Sequence, residues 1–142
     1  MIPTETHETF SVLVLAFNRQ TGLVPLVRGG KGHSERLWRI PGGGSRLLEF
    51  PFQTAVREMK EETGLDVAAL NSVFTLEKVH GHKQCVFIAE FFSTENILTE
   101  GDEGEEVELF HIDEVLEIKD FHRGHREIFY RIIYESMKKL PK

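Results

Sequence analysis

The sequence predicts an α+β fold, a mixed β-sheet flanked by helices. Three observations point to it. Short runs rich in β-branched and apolar residues recur along the 142-residue chain. Two segments, over 51–63 and 125–140, repeat apolar residues at helical spacing. The two kinds of segment alternate irregularly, which favours a mixed sheet over a regular strand-helix series. Length fits one compact domain, 1–142. An apolar share of 40 % and a charged share of 28 % suit a single core. No repeat or low-complexity tract divides the chain.

In order, residues 10–17 (Phe-Ser-Val-Leu-Val-Leu-Ala-Phe) read as a buried strand after a short loose N-terminus. A turn cluster at 18–22 leads to a strand at 23–27, and the pair is expected to form a hairpin. A basic, glycine-containing loop covers 28–36, and a short strand at 37–40 is stopped by Pro41-Gly42-Gly43-Gly44. A helix is expected over 51–63, because Pro51 suits its first turn and Gly64 the position after its end. Ala55, Val56 and Met59 form its apolar stripe, while Phe50 offers no side-chain cap. Strands follow at 71–79 and 83–92, joined by His80-Gly81-His82. An acidic loop over 98–106, a last strand over 107–112 and a helical turn over 113–118 come next. A closing helix over 125–140 has Ile128, Phe129, Ile132, Ile133 and Met137 on one face.

Charge and composition exclude several function classes. The 23 acidic and 17 basic side chains leave a net charge of −6. A sequence-independent nucleic-acid binder needs a basic stripe instead, so no nucleic-acid polymer is expected as partner. A small phosphorylated ligand is compatible, because a few cations hold it whatever the net charge. The single cysteine, Cys85, forms no internal disulfide and reads as a core thiol. No secretory signal and no membrane span are visible, so the expected location is cytoplasmic.

Residues 43–65 carry the chemistry. Five residues separate Gly43 from Glu49, and seven separate Glu49 from Arg57. Arg57-Glu58-Met59-Lys60-Glu61-Glu62-Thr63-Gly64-Leu65 follows. On a helix Glu58, Glu61 and Glu62 stand at i, i+3 and i+4, so three carboxylates share a face within about 5–6 Å at Cβ. Like charges at that spacing cost roughly 0.2–0.5 kcal/mol per pair, and a divalent cation removes the repulsion. Oxygen ligands select Mg²⁺, Mn²⁺ or Ca²⁺ over Zn²⁺. Such a helix alone is more often a solvated charged face, and Arg57 and Lys60 neutralise part of it. The upstream residues change that balance. Gly42, Gly43 and Gly44 permit a close backbone approach to a ligand and expose carbonyls. Glu49 is placed to fold back onto Arg57 and orient the carboxylate face.

The segment resembles the Nudix box, Gly-x5-Glu-x7-Arg-Glu-(apolar)-x-Glu-Glu-x-Gly-(apolar), at every specified position: Gly43, Glu49, Arg57, Glu58, Met59, Glu61, Glu62, Gly64 and Leu65. Seven fixed identities at frequencies of roughly 5–7 % each arise by chance about once in 10⁸–10⁹ starts. The resemblance implies an α/β/α sandwich and a hydrolase that cleaves a phosphoanhydride with Mg²⁺ or Mn²⁺. Glu58 and Glu62 are then the principal metal ligands, with Glu61 assisting and a Gly42 or Gly43 carbonyl completing the sphere. Glu49 and Arg57 are the structural pair, and Gly43 and Gly64 shape the loop and helix end. Arg28 and Arg39 are candidate contacts to substrate phosphate. The general base is Glu58, Glu61 or an acidic-loop residue among Glu103, Glu105 and Glu106; Glu105 represents that loop among the catalytic candidates.

Two departures concern the loop before the helix. Arg46 and Leu48 replace the acidic residue and glycine that many members carry, and Phe50 and Phe52 replace polar residues. This predicts a more apolar loop that packs on a partner or on a closing helix; separately, a homodimer is among the assemblies left open. His122 and His125 read as surface histidines, His80 and His82 as hairpin residues within reach of substrate, and Phe74, Phe87 and Phe110 as core. The substrate classes open are nucleoside triphosphates, ADP-ribose or sugar nucleotides, and dinucleoside polyphosphates; a non-catalytic nucleotide sensor is the alternative function. Neither the proline typical of ADP-ribose-selective members nor the tyrosine of diadenosine-type members stands near His80, which favours nucleoside triphosphates.

Overall fold

The computed structural model describes residues 10–138, with the side chains of Val79, Met137 and Lys138 left aside. The expected loose N-terminus, the end of the closing helix and the placement of Met137 on its apolar face lie outside the described residues. Six strands and three helices occur in the order β1 (Phe10–Phe17), β2 (Leu23–Arg28), β3 (Gly42–Gly44), α1 (Pro51–Thr63), β4 (Ala68–Glu77), β5 (Lys83–Glu90), β6 (Glu106–His111), α2 (Ile112–Val115) and α3 (Arg123–Lys138). A 3-10 turn at Val79–Gly81 joins β4 to β5.

The main sheet has the order β3-β1-β5-β4. β1 runs parallel to β5 and antiparallel to β3, and β4 runs antiparallel to β5, so the sheet is mixed. Apart from Ser11, β1 is apolar because both its faces are covered. Val12, Val14, Phe87 and Ala89 face α1, where they meet Ala55, Met59 and Leu65. Leu13, Leu15 and Val86 face the other way, toward Phe129 and Ile132 of α3 and Val24 and Leu26 of β2. Each fully buried side chain of this size contributes roughly 1.5–3 kcal/mol. The layers are therefore helix, sheet, helix, as expected. Cys85 packs against the α1-facing core, and Phe74, Phe87 and Phe110 all join the core.

Two expectations are corrected. β1 and β2 do not form a hairpin ladder. Both edges of β1 are taken, by β3 and β5, so β2 leaves the sheet and pairs along its whole length with β6. Asn18 fixes that exit: its Oδ1 accepts the Gln20 and Thr21 N–H groups at 3.0 and 3.1 Å, and its Nδ2 donates to the Phe91 carbonyl at 3.1 Å. The strand expected at 37–40 is reduced to isolated bridges at Trp38 and Arg39, and the regular pairing falls on Gly42–Gly44. Pro41 has no N–H to continue a ladder, whereas the glycines fit tightly against β1. A Cβ on Gly42 would collide with the Val12 carbonyl oxygen.

α1 has the predicted bounds, with Gly64 left-handed at φ 79° and its N–H donating to the Lys60 carbonyl. Phe50 gives no side-chain cap; Gln53 Oε1 accepts the Phe50 N–H at 2.8 Å instead. β4 begins three residues before the expected strand, across bulges near Ala68 and Ser72. Among the described residues no helix is long and apolar enough to cross a membrane.

Candidate active site

β3, α1, the acidic loop and the start of α3 border one cavity of about 550 Å³. Its architecture begins with Arg57. All five N–H donors of a guanidinium are engaged here. Nε and Nη2 grip Glu49 in a two-pronged pair at 2.7 and 2.9 Å, and Nη2 also donates to the Gly44 carbonyl at 2.9 Å. Nη1 donates to Glu58 at 2.8 Å and Glu61 at 3.0 Å. Glu49 in turn accepts the Arg46 N–H at 2.7 Å and the Thr54 hydroxyl at 2.9 Å. The Arg57 pair and these two donors hold the Glu49 carboxyl down at about 2. One arginine thus ties the loop, the end of β3 and the first carboxylates of the helix together.

The remaining carboxylates lie deeper. Glu62 is only 7 % exposed and accepts the Gly42 N–H at 3.3 Å. Burial, reinforced by the charges of Glu58 and Glu105, raises its pKa well above the usual carboxylate range. Burial also raises Glu58, against the opposing pull of Arg57. Glu105 is 4 % exposed, and its Oε1 accepts the Glu103 N–H at 2.8 Å. The acidic loop is anchored on the end of α1. Leu98 and Asp102 donate their N–H groups to the Thr63 and Glu61 carbonyls at 2.8 and 3.0 Å, which a helix end leaves unpaired. Gly101 permits that approach, since a Cβ there would lie 2.6 Å from the Glu62 carbonyl oxygen and 2.7 Å from Glu105 Oε1.

Arg39 is buried in the same cavity; burial lowers its pKa, while Glu62 and Glu105 act against that shift. Arg28 lies outside it. Glu106 binds Arg28 at 2.6 and 3.1 Å, and the guanidinium stacks 4.4 Å over Trp38. Glu106 also holds Arg36 at 2.7 Å and so faces away from the carboxylates, whereas Glu103 and Glu105 line the cavity. Glu61 lines it too, turned toward Arg46 and Arg57 at 3.0 Å each.

The reading of His125 as a surface histidine is corrected. Its Nδ1 accepts the Ile40 N–H at 2.9 Å, and it lines the cavity. Burial, with the nearby charges of His122 and Arg39, pushes its pKa down to about 3. His122 is exposed, its ring 4.6 Å from that of His125. His82 reaches the Ser11 hydroxyl at 3.2 Å, and Ser11 rather than His82 lines the cavity. Phe50 and Phe52 do not pack on a closing helix; they stay 65 % and 55 % exposed and stack on each other. Sequence reading also missed Gln84, which lines the cavity. Its signal was its parity on β5 with Val86 and Ile88, a polar residue on an apolar face.

The NUDIX domain family model matches residues 7–132. The chain belongs to the Nudix family. Its Nudix box spans the end of β3, the Arg46–Glu49 loop, all of α1 and Leu65. It is a Nudix hydrolase, an enzyme acting on phosphorus-containing anhydrides. Solved structures share the fold. One, from work on MutT of the psychrophilic fish pathogen Aliivibrio salmonicida and the mesophile Vibrio cholerae, superimposes with a TM-score of 0.72 at 19 % identity, over 89 % of this chain and 97 % of the other. A Nudix-family hydrolase from Clostridium perfringens gives 0.70 at 18 %, over 90 % and 97 %. No curated protein sequence matches the chain.

Proposed function

We propose that this Nudix hydrolase cleaves a phosphoanhydride bond of a nucleoside-diphosphate-linked substrate, a nucleoside triphosphate, with Mg²⁺ or Mn²⁺. One observation carries the reading: Glu62 is buried between the charges of Glu58 and Glu105, with a single backbone N–H at hand. Arg39 offsets only part of the like charge around Glu62, and a bound cation would relieve the rest. The donor set is all oxygen, which fits a hard divalent ion. Gly43 leaves room for the Glu58 carboxyl, with which a Cβ there would collide. Among the described residues no three acidic, His or Cys side chains are already gathered as a metal cage. Arg57 and Arg46 draw Glu58 and Glu61 aside, so ion binding is expected to turn these two side chains. Glu58 and Glu62 would hold the ion, with Glu61 and the Gly42 carbonyl assisting.

A divalent ion there supplies positive charge against the phosphate oxygens and makes water a better nucleophile. The chain's own residues do the rest. Arg39, held on the same cavity wall, binds a phosphate oxygen and keeps the chain of phosphates in line for attack. Water forms the new P–O bond as the bridging P–O bond breaks, and one carboxylate takes the water proton. Glu105, Glu58 and Glu61 are the candidates, and Glu105 has a fixed orientation through the Glu103 N–H. Arg57 positions Glu58 and Glu61 without touching substrate.

A hydrolysis screen tests this reading. Nucleoside triphosphates, ADP-ribose, sugar nucleotides and dinucleoside polyphosphates are supplied with Mg²⁺, with Mn²⁺ and with EDTA. Metal-dependent release of a nucleoside monophosphate and pyrophosphate is expected. Turnover confined to ADP-ribose or dinucleoside polyphosphates would overturn the substrate assignment, and turnover in EDTA the metal.

A further inference from the structure

Next to the carboxylate cavity lies a second one of about 350 Å³, between the sheet and α3. Phe74, Leu76 and Ile128 give it apolar walls, and Glu127 and Arg131 stand among them. The Arg131 guanidinium lies 4.0 Å over the Phe74 ring. Gln84, His122 and His125 line both compartments and so form the wall between them. Gln84 is held there by register, opposite Ser11 of β1 on one side and Leu76 of β4 on the other.

Gln84 Oε1 is buried and, among the described residues, has no hydrogen-bond partner. A buried acceptor without a donor costs about 1–3 kcal/mol, and such groups in a folded protein require a reason. Neighbouring Val86 and Ile88 show that this sheet face takes apolar residues readily. A glutamine adds nothing to packing that methionine would not supply. Its last torsion is soft, so its carbonyl turns into either compartment at little cost.

We propose that Gln84 is a specificity-determining residue, its amide carbonyl accepting an N–H from the planar heterocycle that lies beyond the substrate's phosphates. The compartment suits such a group, with apolar patches at Phe74, Leu76 and Ile128 set among polar side chains, one side chain away from the phosphate site. His125 complements the acceptor. Its Nδ1 is occupied by the Ile40 N–H, so its neutral ring carries the proton on the other nitrogen, a donor. The wall therefore offers one acceptor and one donor. A site that hydrogen-bonds its substrate discriminates through the polar group left unpaired when the wrong ligand binds.

The proposal rests on the nucleotide reading above. Gln84→Met keeps length and volume and removes the acceptor. Steady-state kinetics on the nucleotide that the wild type turns over best are expected to show KM raised about 5–20-fold and kcat held within about threefold. Without ligand the variant is expected to melt at the same or a higher temperature, because the unpaired acceptor is gone. An unchanged KM overturns the role, and a joint fall of kcat and melting temperature makes Gln84 structural and overturns it too. A wild-type enzyme that hydrolyses no nucleotide sinks the nucleotide reading and this proposal together, whereas an active wild type with an indifferent variant sinks the proposal alone.

Discussion

Arg57 carries more of the site's order than any other side chain, because loop, strand and helix all end on its guanidinium. Lysine keeps the charge but has no planar fork. Arg57→Lys is expected to lower turnover roughly 10–100-fold, the usual cost of losing a group that orients metal ligands, in an assay of phosphate release. Glu49 gives a pH signature. Its pKa falls from an ordinary 4.5 to about 2 on folding. The stabilisation is therefore complete above about pH 4.5 and is lost as pH falls toward 2. Urea unfolding midpoints of the wild type are expected to drop across that window, and those of Glu49→Gln to lack that part of the drop. The Glu49–Arg57 pair was legible from spacing alone, since seven residues bring a loop carboxylate back over a helical turn. His125 was not, and Gln84 only as a polar residue in the apolar phase of β5. What makes them site residues is contact with segments far away in sequence, such as Ile40, 85 positions from His125.

Among the elements, α1 was the most legible: Pro51 and Gly64 act locally, and the helix has both predicted ends. The β2 pairing was not legible, because a turn cluster says that the chain reverses and not which edge is free. The glycine run shows the same limit. Its composition reads as a turn, yet it is a strand edge fitted against β1. Gly42 and Gly43 differ in what a methyl group would meet there, a carbonyl of β1 in one case and the end of the Glu58 side chain in the other. Backbone cannot move aside as a carboxyl can. Gly42→Ala is thus expected to cost about 1–3 kcal/mol of stability. Gly43→Ala is expected to keep most stability and lose most turnover. Urea denaturation beside kinetics separates the two outcomes.

At the scale of the whole molecule, β1 at the centre of the sheet is covered on both faces, and the edge strand β3 borders the candidate site. α1 brings the Nudix box to β3, and α3 closes the opposite side of the same cavity through His125. That link predicts a second pH dependence. The folded His125 stays near 3 against an ordinary 6.5, so its contribution is full above about pH 6.5 and declines as pH falls toward 3. His125→Asn places an acceptor at the same branch and does not titrate. Its thermal stability is expected to vary less than that of the wild type between pH 6.5 and 4. The layer order and the box were legible as a whole because apolar runs and helical stripes are properties of single segments. The meeting of Glu62 with Glu105 and Arg39 was not, because it depends on how the acidic loop docks on α1.

The claim beneath all of this is that Glu58 and Glu62 hold a divalent ion. Titration of Mn²⁺ into the wild type and into Glu58→Gln/Glu62→Gln, followed by electron paramagnetic resonance, tests it directly. The wild type is expected to bind the ion and to gain thermal stability from it. The double variant is expected to do neither and, relieved of like charges, to melt no lower than the wild type in EDTA. Equal Mn²⁺ binding by both proteins would contradict the account.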